Sequence, residues 1–159
     1  MAFQGCPGSQ SMSLKKAQES SGSSSISSVP SQLGHWPIQL HLISPLAQHY
    51  KGADVVLAAD CTAFSIGNFH NDFIKGKSIA IACPKLDDGQ DIYIDKIQAW
   101  VDESKINTLT VVMMQVPCCG GLLHTARQAL KRAGRKIPLK SIIISLQGDI
   151  LSEEWITVD

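Results

Sequence analysis

Five cysteines, Cys6, Cys61, Cys83 and the adjacent pair Cys118 and Cys119, are the residues whose chemistry stands out. An odd count in a chain expected to be intracellular fits thiols or metal ligands better than a disulfide framework. Cys61, Cys83 and the pair each follow an apolar run of strand length, in Asp60-Cys61-Thr62, Cys83-Pro84-Lys85 and Pro117-Cys118-Cys119-Gly120-Gly121. Soft thiolate ligands favour iron-sulfur clusters, zinc or copper(I). Two neighbouring cysteines are awkward ligands for one small ion and suit a multinuclear cluster better. The expectation is a metal centre on Cys6, Cys61, Cys83, Cys118 and Cys119, an iron-sulfur cluster of 4Fe-4S size or larger first, with a four-thiolate zinc site, or one of the pair as a spare or redox thiol, also open. A lone free cysteine is often only a small buried hydrophobe; recurrence at three equivalent places favours a centre.

What must position these residues is a series of strand and helix units. Ile38 to Ile43 reads as a short strand, and Ser44 with Pro45 as the start of a short helix to Tyr50, ending near Gly52. Asp54 to Ala59 is a largely apolar run suited to a buried parallel strand. Residues 63 to 75 predict a short helix closed by Gly76, and Ser78 to Ala82 the next strand. Apolar residues at helical spacing predict a helix between Asp87 and Ser104. Thr108 to Val116 reads as another strand, Leu122 to Ala133 as a helix stopped by Gly134, and Ser141 to Leu146 as a fifth strand. Near-continuous apolar strands alternating with helices predict an α/β fold: one three-layer domain with a mostly parallel sheet of about five strands. In such sheets the carboxyl ends share one edge, where ligands bind near a reversal of strand order.

At 159 residues the chain is long enough for one core and short for two. The division expected is residues 1–9 as a cysteine-containing segment, 10–34 as a serine-rich linker or loop, and 35–159 as the α/β domain. Eleven serines between Ser9 and Ser31, with few apolar residues, give that linker little to offset its ordering entropy. A flexible tether of this kind lets the Gly5-Cys6-Pro7-Gly8-Ser9 turn fold back over the domain. Zero formal net charge and no basic block argue against nucleic acid, and no apolar run approaches a membrane span, so a cytoplasmic protein is the expectation. Gly120-Gly121 is neither a phosphate loop nor a dinucleotide fingerprint.

Other polar residues have weaker claims. Asp60, Lys85, Asp87 and Asp88 can tune a nearby centre, or equally cap helices and face solvent. His70 and His124 lie close enough in sequence to reach the same edge, although a structural role is the plainer reading. His35, His41 and His49 show no clustering, and Trp36, Trp100 and Trp155 read as packing residues.

The stretches Gly5-Cys6-Pro7-Gly8-Ser9, Trp36-Pro37-Ile38-Gln39-Leu40-His41-Leu42, Ala58-Ala59-Asp60-Cys61, Phe69-His70-Asn71-Asp72-Phe73, Cys83-Pro84-Lys85-Leu86-Asp87-Asp88 and Val116-Pro117-Cys118-Cys119-Gly120-Gly121-Leu122 resemble a ferredoxin-like iron-sulfur protein family of anaerobic microbes. That resemblance implies iron-sulfur association, although the four-cysteine runs of ordinary ferredoxins are absent. Three functions stay open. The first is an iron-sulfur redox protein or oxidoreductase in electron transport, activating a small molecule at its cluster. The second is a metallocluster carrier, storage or assembly protein, and the third a structural zinc or thiol-redox protein. The partners expected are a redox partner protein or a small-molecule substrate, with a homodimer also open.

Overall fold

A computed structural model describes residues 7–14 and 28–159. Cys6 and most of the serine run lie outside the described residues.

Among the described residues, seven strands and three α-helices follow in chain order. A small antiparallel pair, β1 (Met12–Ser13) and β2 (His35–Trp36), ties the amino-terminal segment to the domain. Trp36 Nε1 reinforces it by donating to the Gly8 carbonyl at 2.7 Å. The main sheet contains β3 (Asp54–Ala59), β4 (Ser78–Ala82), β5 (Thr108–Met114), β6 (Leu139–Ile144) and β7 (Ile150–Ile156). Their spatial order is β4-β3-β5-β6-β7, parallel except for β7. The chain is thus a single α/β domain with a mixed, mostly parallel sheet flanked by helices.

The apolar strands form because both of their faces are covered, with Val55 to Ala59 buried without interruption. From β3 the chain moves one way to β4, then back past β3 to β5 and on to β6. Right-handed crossovers therefore put residues 62–75 on one face and the helices α2 (Gln90–Asp102) and α3 (Gly120–Arg132) together on the other. Trp100, Ile97 and Tyr93 of α2 and Leu122, Ala126 and Ala129 of α3 are buried at helical spacing.

Three elements differ from expectation. Residues 63–75 are not one helix: α1 (Thr62–Ser65) ends after one turn, and a separate π-helical turn spans His70–Ile74. Ile38 to Ile43 is not a full strand. Ile81 N–H donates to Ile38 and Leu40 N–H to Ile81, then the Gln39 side chain accepts from His41 N–H and the chain turns away. That short ladder still covers the outer edge of β4, which would otherwise offer unpaired backbone groups. The segment 45–50 contributes only a 3-10 turn, Gln48–Tyr50.

His35 is built into this edge. Its Nε2 accepts from Ile79 N–H at 2.9 Å, and its ring stacks on His49 at 4.0 Å. Burial, then the charge of His49, lower its pKa to about 4 against an opposing pull from the Pro37 backbone. Protonation thus favours the unfolded chain, so stability from this site is complete above the unfolded value near 6.5 and is lost as pH falls toward 4. Thermal melts should show about 1–2 kcal/mol lost between pH 7.5 and pH 5 after discounting for solvent screening. The variant His35→Gln should lose that part of the slope; an unchanged pH profile would show that His35 does not set it.

Candidate functional site

The structure supports the placement of the cysteines along the chain but not their convergence on a metal. Cys61 follows β3 and caps α1, Cys83 follows β4, and Cys118 and Cys119 form the turn between β5 and α3. Among the described residues, no three or more His, Cys, Asp or Glu side chains are grouped so that they could hold a metal ion. The expected iron-sulfur cluster on Cys61, Cys83, Cys118 and Cys119 is therefore corrected, and Cys6 lies outside the described residues. With it go the redox, carrier and structural-zinc readings and the resemblance to ferredoxin-like iron-sulfur proteins.

Geometry gives the reason. The ends of β4 and β5, with β3 between them, are separated by roughly 10 Å, so a shared sheet edge alone does not bring side chains to the chosen directions that metal-thiolate bonds of about 2.3 Å need. Within the adjacent pair Cys118 is exposed and Cys119 buried, although the two thiols stay within hydrogen-bonding reach of each other. Burial raises the Cys119 pKa above its ordinary value. The Met114 backbone opposes that shift, while Cys118 and Cys61 add to it. Cys119 is a packing thiol.

What the carboxyl edge does hold is a pair of acidic residues in unlike settings. Asp87 gathers donors: Tyr93 OH, Cys83 N–H at 2.8 Å and the Gln39 side-chain amide at 3.4 Å. Burial alone would raise its pKa, but the Tyr93, Cys83 and Gln39 hydrogen bonds and the charge of His41 hold it below the usual carboxylate value. Tyr93 is correspondingly pushed up, by burial first and then by Asp87. Asp60, at the end of β3, has a buried Oδ1 with no hydrogen-bond partner. Its pKa is raised by burial first and then by repulsion from Asp87.

Neither His70 nor His124 joins these carboxylates. His70 Nδ1 accepts from Gln32 N–H at 3.0 Å, and His124 pairs with Gln128 on the outer side of α3. The residue that the sequence hid is Lys96. From α2 its ammonium donates to the carbonyls of Leu40, His41 and Ile43 at 2.8–2.9 Å, fixing the turn that carries Gln39 and His41 to Asp87 and Asp88. A lysine between apolar positions of a helix has no sequence signature that separates it from a solvated one.

Asp60 gives the site a testable cost. A folded pKa above the unfolded value of 3.8 contributes stability below pH 3.8 that is lost as pH rises through the folded value. The variant Asp60→Asn should therefore melt higher than the parent at pH 7 and equal it below pH 4. A lower melting temperature at pH 7 would refute the strained-carboxylate reading.

The order β4-β3-β5 reverses the chain's direction of travel at β3 and β5, so the crevice outside their carboxyl ends is the ligand position of an open α/β sheet. Cys61 stands on one side of it and Cys118 with the first turn of α3 on the other. A Cβ on Gly121 would lie 3.2 Å from Pro84 Cβ, so the loop after β4 presses directly on the start of α3.

Known proteins bear on this architecture in two ways. An uncharacterized protein of Archaeoglobus fulgidus is 29% identical over 119 residues, covering 75% of this chain and 83% of its own. No solved structure matches. A Rossmann-like domain family matches residues 47–159, the portion that builds the five-stranded sheet, and the chain belongs to that family.

Proposed function

We propose that this chain is a small-molecule-binding module whose ligand sits at the carboxyl edge of the sheet, in the crevice between the β3 and β5 loops. The observation that carries the reading is Asp60: a buried carboxylate oxygen without a donor, at the end of the strand where chain order reverses. Unpaired polar atoms in a native fold call for a partner, and a ligand donor supplies one. Cys61 and Cys118 are exposed along the crevice and act as polarizable walls. Gly120, with nothing within 4 Å of its Cβ position, lets a ligand approach the first turn of α3 closely. The partner expected is thus a small molecule.

A cytoplasmic location accords with the free state of Cys61, Cys83, Cys118 and Cys119. No helix among the described residues is long and apolar enough to cross a membrane.

Screening a fragment collection against the full chain by amide NMR tests this function. Bound fragments should shift residues 60–63, 83–87 and 117–121 together. Shifts confined to the open sheet face around Thr110, Ile142 and Trp155 would refute the reading.

A further inference from the structure

Adjoining the crevice at Asp60, under residues 62–75, lies a cavity of about 260 Å³. Leu33, Ile38, Phe64, Phe69, Ile79 and Ile81 supply much of its wall, and Asp60 and His70 supply the charged or titratable groups. The wall is otherwise almost entirely carbon. Phe64 is 93% exposed, so the cavity communicates with solvent through that side.

Its polar groups point to one kind of ligand. Thr62 Oγ1 is already engaged, donating to the Ala59 carbonyl at 2.7 Å. His70 accepts a backbone N–H through Nδ1, which leaves its ring proton on Nε2 and makes the neutral ring sufficient for that contact. Asp60 Oδ1 is buried with no donor, and the ion pairs among the described residues, Arg132 with Asp95 and Lys140 with Glu153, lie elsewhere. The charged neighbour that acts on Asp60 is Asp87, also an acid. An anionic ligand would meet repulsion here, and a neutral hydrocarbon would leave the carboxylate unpaired. A cation meets both needs, because a charge-assisted hydrogen bond is about twice as strong as a neutral one.

Size narrows the class further. A dry apolar cavity of about 150 Å³ holds benzene, so 260 Å³ scales to roughly ten non-hydrogen atoms. We propose that this cavity binds a compact aryl or alkyl primary amine, its hydrocarbon part within the apolar wall and its ammonium group donating to Asp60. The inference rests on the reading of this edge as a small-molecule site and names the ligand class.

The test compares 2-phenylethylamine, 2-phenylethanol and phenylacetate on the isotope-labelled full chain, reading affinity and shifted amides. The amine should bind about ten-fold tighter than the alcohol, with phenylacetate weakest, and should shift Ile38, Ala63 and Ile79. Asp60→Asn should lower amine affinity by about ten-fold and leave the alcohol unchanged. Ala63→Trp, a change at an exposed position on the wall, should block amine and alcohol alike. Equal affinities for the three probes, or amine binding that survives Asp60→Asn, would overturn the amine assignment. Shifts at Gly120, Gly121 and Cys61 that are untouched by Ala63→Trp would overturn the cavity while leaving the crevice function standing. Binding of no probe at either place would also overturn the inference, and the fragment screen would then decide the crevice on its own.

Discussion

Replacing Gly148 with alanine should lower stability by about 3 kcal/mol or more, a fall in melting temperature on the order of 10 °C for a chain of this size. Gly148 has a φ of +91°, a conformation that side chains rarely adopt. Its added Cβ would also fall far inside van der Waals contact with the Ser65 carbonyl oxygen and lie 3.2 Å from the Ser65 carbonyl carbon. Both are backbone atoms and cannot swing aside. Ser65 is itself held in place, its single hydroxyl proton shared between the Thr62 carbonyl and Met114 Sδ. The clash would push α1, and Cys61 and Asp60 with it, away from the end of β5. Gly76→Ala provides the control: φ is +73° there, but nothing lies within 4 Å of the new Cβ. It should cost only about 1 kcal/mol, for backbone strain alone. Equal losses in the two variants, measured by denaturant unfolding, would refute the close contact between the β6–β7 loop and α1.

How much of this was legible depends on what each residue must satisfy locally. DVVLAA, SIAIA, TLTVVMM and the isoleucines of LKSIII could be read because a strand buried on both faces admits almost nothing but apolar residues. β7, ILSEEWI, gave no such signal. It is an edge strand with Glu153, Glu154 and Trp155 exposed, so its alternation is lost and only pairing with β6 reveals it. The serial placement of Cys61, Cys83, Cys118 and Cys119 at strand ends was likewise readable. Their failure to meet was not, because sharing one sheet edge fixes position to several ångströms while metal bonding needs about 2.3 Å and a chosen side-chain direction. The cavity below Asp60 was hidden for another reason. Its walls come from residues 33, 38, 59, 60, 62–64, 69, 70, 74, 79 and 81, which only tertiary packing brings together.

Lys96→Met should cost about 3 kcal/mol, although a surface lysine on a helix normally tolerates that change within about 0.5 kcal/mol. Methionine keeps much of the stem packing but removes the ammonium that donates to Leu40, His41 and Ile43. Hydrogen bonds to a charged group contribute roughly 1.5–3 kcal/mol each and do not add fully, and the partly buried carbonyls left behind lose their donor. The opposing effect is desolvation of Lys96, which lowers its pKa from the ordinary value. Three acceptors outweigh it, because the ammonium's three donors are all used. The consequence reaches the candidate site through a short chain of contacts. Once residues 39–43 loosen, Gln39 leaves Asp87 and His41 leaves the Asp88 carbonyl, so the loop holding Cys83 N–H against Asp87 loses support. Amide exchange at Cys83 and Asp87 should therefore accelerate in Lys96→Met by more than the global loss of stability explains, while Lys131→Met, on the exposed face of α3, leaves both unchanged. A global loss without selective exchange at that loop would show that Lys96 anchors the turn but does not position the site.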